Sequence, residues 1–320
     1  MRLYVWRGEA RNFGDELNTL LWPVLLPGLF DTDGSALFLG IGSVLDARHS
    51  AKLRKVVAGA GYGGYEAPAT LDGSWEIYWV RGPRTARLLG LPPAFGLGDP
   101  ASLLPLVHTP APSPAPGTIG FMPHFESLSR GAWTEAAEAA GVTLIDPRGE
   151  PQAVLASIAR CRVLLSEALH GAIVADALRV PWVALTPLAP VHRAKWPDWA
   201  ETLDLTIRFQ TLAASSPRER IETACASGHP SLRVVLAGVC GPTNRLGSHS
   251  FYLDRAAETL RRAAAAPPQL SHPAALARVQ SRMLARLRTL RLDRARLLAA
   301  RKPDPLRPGG KSAYDTASVG

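Results

Sequence analysis

The sequence predicts an α/β protein whose parallel strands are divided between two domains. Three observations carry this: a strand–helix–strand unit at 161–185, a series of apolar runs ending in glycine- or arginine-bearing turns, and a proline-rich break from residue 109. The unit reads CRVLLSEALHGAIVADALRVPWVAL, in which Val163 to Leu165 and Val183 to Leu185 suit buried strands. Between them, residues 168–178 collect good helix formers with few breakers. Strand, helix and strand in that order make a βαβ unit with parallel strands. The turn from Ser166 to Gly171 then lies at a strand's carboxyl end and a helix N-terminus. Open α/β sheets bind ligands at that edge, and helix N-termini favour anions there.

Taken in order, Leu3 to Trp6 alternates as a first strand, and Asn12 opens a helix running through Leu26. Asn12 or Asp15 suits the cap, and the acids suit the positive end of the helix dipole. A second reading has Asn12 and Gly14 shape a loop where a ligand approaches, and the sequence leaves both open. Strands at 36–39, 55–58 and 76–80 run into glycine turns and into Arg81-Gly82-Pro83-Arg84. None is a complete dinucleotide or P-loop motif, and glycine turns after parallel strands also serve packing alone. Pro83 fits the first turn of the helix that follows. Arg81 and Arg84 beside it make a fork for phosphate or carboxylate. The plainer alternative is a solvated helix start.

Gly98 to Ala101 closes a first domain of residues 1–108, and 109–117 forms an extended proline-rich linker. A second domain, 118–250, begins with a strand at 118–122 that runs to His124. Helices at 133–140 and 152–159 flank a strand at 142–145 and lead into the central unit. His124 and His170 both follow strand ends, where a neutral imidazole can move protons near pH 7. Position favours a functional His170 over a core histidine; for His124 a simple loop histidine stands equal. Lys195 lies among bases and tryptophans at 189–199. Its compact ammonium suits a phosphate or carboxylate, and the alternative is a surface helix with Trp196 and Trp199 packed beneath. Residues 251–302 read as basic amphipathic helices, with Leu276, Val279, Met283, Leu287 and Leu290 on one face. Packing onto the protein is the favoured reading, with peripheral contact to an anionic membrane through 273–301 as the other. Residues 303–320 read as a disordered tail.

At 320 residues the chain has room for two ordinary domains. Its 3 cysteines fall at unrelated spacings, which gives no disulfide framework or metal motif and fits a cytoplasmic protein. The apolar run after Leu17 is broken by Asn18, Pro23 and Pro27, which argues against a signal peptide or membrane span. A net charge of +9 allows nucleic acid, anionic membrane or an anionic small substrate. No zinc finger, aromatic RNA-binding pattern or clear helix-turn-helix accompanies it, so nucleic acid is not expected as a partner.

In order along the chain, NFGDELN, GIGSVL, VRGPRTARLLGL, GDPA and SEALHGAIVADALRVPWVAL resemble the polysaccharide pyruvyl transferase family over residues 1–225. The nearest look is to the exopolysaccharide, succinoglycan-type ketalases. The resemblance implies two Rossmann-like domains facing a cleft, as in GT-B glycosyltransferases; the helices read at 251–302 add a helical C-terminal extension. It implies a transfer from phosphoenolpyruvate that closes a pyruvate ketal across two sugar hydroxyls and releases phosphate. The acceptor is a sugar of a bacterial exopolysaccharide or of its lipid-linked repeat unit, at the inner face of the plasma membrane. Phosphoenolpyruvate is a co-substrate, with no cofactor and no metal. The family's arginine falls on Arg81, its histidine on His170 and its lysine on Lys195, while Ala168 stands where many members carry arginine. Arg84 or Arg193 would have to supply that charge. A GT-B glycosyltransferase with a nucleotide-sugar donor is the main alternative, and a non-catalytic assembly factor at the membrane the second.

Overall fold

A computed structural model describes residues 1–8, 10–31, 34–108, 117–226 and 245–300. It contains two parallel sheets. The first runs β1 (Arg2–Leu3), β2 (Ala36–Leu39), β3 (Arg54–Ala58) and β4 (Trp75–Trp79), side by side in chain order. The second comprises β5 (Thr118–Met122), β6 (Thr143–Leu144), β7 (Cys161–Ser166), β8 (Trp182–Leu185) and β9 (Phe209–Gln210), in the order β6-β5-β7-β8-β9. Strands β2 and β8 are buried along their whole length, as near-continuous apolar runs in parallel sheets should be. The expected first strand is shorter than its alternation suggested, because only Arg2 and Leu3 pair with β2.

Helices α1 (Phe13–Leu25) and α2 (Pro83–Leu88) belong to the first half. Asn12 caps α1, and Pro83 takes the first turn of α2. In the second half come α3 (Phe125–Arg130), α4 (Trp133–Ala140), α5 (Pro151–Ala159), α6 (Leu169–Ala177), α7 (Lys195–Ala200) and α8 (Pro217–Ala226). Then follow α9 (Arg245–Ala265) and α10 (Pro273–Ala300). Helix α1 packs on α5 and α6, and the Phe13 amide donates to the Pro147 carbonyl at 2.7 Å, so the halves are joined at α1. The linker expected at 109–117 (but for Gly117) and the tail expected at 303–320 lie outside the described residues.

The C-terminal helix packs onto the protein, the favoured of its two readings, and joins the core. Leu276, Val279, Met283, Leu287 and Leu290 are all buried in one cluster with Trp22, Trp79 and Trp182. A Cβ on Gly98 would fall 2.4 Å from Val279 Cγ1, so a glycine there lets α10 press onto the chain after β4. Several of its arginines are spoken for: Arg278 pairs with Asp204, Arg294 with Glu76, and Arg286 lies over the Phe95 ring. Among the described residues no helix is long and apolar enough to cross a membrane. Met283→Ala should therefore lower folding stability by about 2–5 kcal/mol, the usual cost of emptying a buried methionine site. Exposed Arg282→Ala should stay within about 0.5 kcal/mol. Urea titration of the two variants measures the contrast; equal small changes would show the apolar face to be dispensable.

Candidate functional site

The second sheet has a topological switch point. With β5 flanked by β6 on one side and β7 on the other, the connections leaving β5 and β7 diverge and open a crevice at their carboxyl ends. His124 follows β5 and His170 follows β7, so the two histidines singled out by position stand on either side of it. Glu167 ties the strand ends together. Its buried carboxylate accepts from the His124 amide at 2.8 Å, the Ser127 hydroxyl at 2.9 Å and the Leu188 amide at 2.9 Å. Burial pushes its pKa up, against those hydrogen bonds.

His170 lies in the first turn of α6 and rests on α1. A Cβ on Gly14 would sit 2.0 Å from His170 Nδ1, so glycine is required there for the ring to lie where it does. This gives Gly14 a role in shaping the site, though by admitting a side chain rather than a ligand. His170 Nε2 is 3.5 Å from Asp99 Oδ2, and among the described residues neither buried atom has a hydrogen-bond partner. Asp99 itself caps the 3-10 turn Pro100–Leu106. At Gly171 the space a Cβ would take is filled by Ser166 and Met122 beneath it.

Asn12 is the helix cap, and it also borders the cleft. Its Oδ1 caps α1 at the Gly14 amide, its Nδ2 donates to Asp15 Oδ2 at 2.6 Å, and it lines the cleft. The cleft measures about 250 Å³ and is bordered by Asn12, Asp15, His124, Glu126, His170 and Lys195 among others. That is small beside the roughly 300–1,000 Å³ of sites that enclose a drug-sized ligand. It suits a small molecule, with a larger partner reaching in from the mouth. Trp6 and Phe125 face each other at 6.2 Å between ring centroids and provide its apolar wall.

Asp15 is buried, and burial lifts its pKa to about 6, opposed by the charge of His170 and the hydrogen bond from Asn12. Burial holds His124 well below the ordinary histidine value, helped by the positive field of its neighbours, so its ring is neutral. Lys195 begins α7, above the buried Trp196 and Trp199, as the packing reading of that segment required. Its side chain lines the cleft, and among the described residues it has no salt-bridge partner. An ammonium without a carboxylate partner, beside the neutral His124 ring, favours an anion.

Arg81 and Arg84 do not form the expected fork. Arg81 is fully buried, with Nε on Asp198 at 3.1 Å, Nη1 on the Ser43 hydroxyl at 2.8 Å and Nη2 on the Tyr62 carbonyl at 2.7 Å. It lies beneath the cleft wall and reaches it only through Ser43. Arg84 turns outward to Glu201 at 2.5 Å. Arg193, the other candidate for the missing family charge, donates to the Pro187 carbonyl at 3.0 Å. The cations at the cleft are Lys195 and Arg48, and Arg48 is clamped by Asp46 at 2.6 and 2.7 Å.

His192 was not anticipated, nor were Tyr65, Glu126, Asp99 and Asp15 as site residues. His192 sits in the 3-10 turn Pro190–His192, is 2% exposed, and stacks on His124 at 3.8 Å between ring centroids. His124, Glu126 and His192 bring metal-ligand atoms within 4.8 Å of one another. Two imidazoles and a carboxylate are a sound donor set for zinc. The ring planes, however, are only 24° apart in a face-to-face stack, so their in-plane lone pairs run side by side.

The fold and cleft thus define an α/β protein with a small cleft, bordered by Lys195 and histidines, at a sheet's switch point. Residues 28–187 match the profile of the family described as polysaccharide pyruvyl transferase. The chain is also 38% identical over 221 residues to the succinoglycan biosynthesis protein ExoV of Rhizobium meliloti (strain 1021), covering 68% of this chain and 70% of that protein. The chain belongs to the polysaccharide pyruvyl transferase family, enzymes that place pyruvate on a polysaccharide. No solved structure matches it.

Proposed function

We propose that the enzyme draws its pyruvyl group from phosphoenolpyruvate and closes it as a ketal on a sugar of an exopolysaccharide or its lipid-linked repeat unit, releasing phosphate. The observation that carries this reading is the unpaired Lys195 ammonium facing His124 and His170 across the cleft, in a chain of this family. Phosphoenolpyruvate brings a phosphate and a carboxylate to be neutralised, which Lys195 does as a point charge. Its C3 must gain a proton, and His170, oriented by Asp99, supplies it as a general acid. Asp15 takes the proton of the first sugar hydroxyl as that oxygen bonds C2, and the electrostatic coupling of Asp15 to His170 lets the pair reset. Arg81 supports this arrangement from beneath, through Ser43 and Asp198.

A ligand that binds only the folded state raises the melting temperature, by about 2.7 kcal/mol in stability at a hundred times its Kd. Phosphoenolpyruvate should give such a shift with the parent protein, and Lys195→Ala should lose most of it. A shift confined to nucleotide sugars would overturn the donor assignment in favour of a glycosyltransferase.

A further inference from the structure

Ketal formation removes two protons from the sugar. One ends on the new methyl carbon, and the other leaves on phosphate. His170 and Asp15 account for the first. Building on that reading of the reaction, we propose that Tyr65 is the second proton-transfer residue, with His192 as its base and Glu126 orienting His192.

The chain of contacts is continuous. The Tyr65 hydroxyl lies 3.1 Å from His192 Nδ1, and His192 Nε2 lies 3.2 Å from Glu126 Oε2. Glu126 is held in turn by Arg130 at 3.1 Å. The direction of the hydrogens follows from chemistry. Glu126 is ion-paired with Arg130, and a carboxylate only accepts. Nε2 therefore carries the imidazole hydrogen, Nδ1 is bare, and the tyrosine O–H donates to it. This is the logic of a nucleophile–histidine–acid triad with a phenol in the first place.

Three further features fit a relay better than an incidental surface contact. His192 is nearly inaccessible and pinned by its stack on His124, so its ring cannot swing away. Tyr65 is 43% exposed and borders the cleft, where a saccharide would arrive. Lys195 Nζ stands 3.4 Å from the phenol oxygen, placed to steady negative charge as it develops there. Tyr65 comes from the turn after β3, whereas Glu126 and His192 follow β5 and β8, so the relay exists only where the two halves meet.

The step balances. The second sugar hydroxyl gives its proton to the Tyr65 oxygen while the Tyr65 proton passes to His192 Nδ1. The sugar oxygen bonds C2 and the C2–phosphate bond breaks. His192 then returns its proton through Tyr65 to a phosphate oxygen.

Tyr65→Phe keeps the ring and removes the proton. Its kcat should fall by about 10²–10⁴-fold, with the phosphoenolpyruvate-induced melting shift and KM unchanged. Glu126→Gln should lower kcat in the same direction and change its pH profile, which a merely structural contact would not do. An unchanged kcat in Tyr65→Phe, beside an active parent, overturns the relay and leaves pyruvyl transfer standing. A parent protein inert toward phosphoenolpyruvate would instead sink the donor assignment. In that event the tautomer of His192, read from nitrogen chemical shifts of the full chain, still decides the relay: the Nε2–H form supports it and the Nδ1–H form overturns it.

Discussion

Arg81→Met should lower folding stability by about 3–5 kcal/mol, the usual cost of breaking a buried ion pair from one side. The guanidinium is fully buried, and its partner Asp198 is only 2% exposed. Asp198 also accepts from the Thr85 amide at 2.9 Å and the Thr85 hydroxyl at 2.6 Å, so the cluster pins the start of α2 against α7. Without Arg81 a carboxylate stays buried with only neutral donors, and the Ser43 hydroxyl and Tyr62 carbonyl lose their partner. Denaturant unfolding of Arg81→Met, Asp198→Asn and the double variant gives the test. The double variant should recover part of the loss, since both members of the charged pair are then gone. A single variant that unfolds like the parent yet no longer responds to phosphoenolpyruvate would return Arg81 to the role of direct anion ligand.

That residue also shows what a linear reading can and cannot reach. The arginine's position after β4 and before a helix was legible, because apolar runs and Pro83 mark both elements. Its direction was not. Whether a guanidinium points into a crevice or under it depends on what fills the space below. Here Asp198 comes from 117 residues further along the chain. Gly61 belongs to the same arrangement: a Cβ there would fall 2.3 Å from Arg81 Cζ, so one of the glycine turns serves packing.

His170 and His124 were found because strand ends in a parallel sheet are ligand edges whatever the sequence around them. His192 lies past the end of β8, in the separate 3-10 turn Pro190–His192, and Tyr65 lies beyond a glycine turn with no periodicity to mark it. Both reach the cleft only through the packing of one half on the other. Asp15 was seen as an acid near a helix start, which it is. Its burial, and with it its altered chemistry, comes from α1 being covered by the second half. The apolar stripe of α10 was visible in full, but not the glycine that receives it.

Asp15→Asn should abolish most of the turnover and raise stability at neutral pH, a pairing that a purely structural carboxylate would not give. The folded pKa is about 6 against 3.8 for a free aspartate, with burial as the main cause. A carboxyl whose pKa is raised on folding binds its proton more tightly in the folded chain. Its contribution is most favourable below pH 3.8, diminishes as pH rises, and becomes a constant burden above about 6. That burden is on the order of 3 kcal/mol, since each pKa unit corresponds to about 1.4 kcal/mol. Asparagine never ionises, so the variant escapes it and should melt higher at pH 7, while the difference from the parent shrinks toward pH 4. Activity runs the other way. Asp15 takes a proton only in its ionised form, so the acid limb of the parent's kcat/KM should rise with a midpoint at about 6, and the need for a protonated His170 should turn the profile down again at higher pH. The variant lacks the base and should lose about 10²–10⁴-fold in rate. Melting curves and initial rates between pH 4 and 8 measure both. An asparagine variant that is less stable at pH 7, or one that keeps the parent's rate, would remove Asp15 from the proton path and leave His170 and Asp99 to carry the first transfer alone.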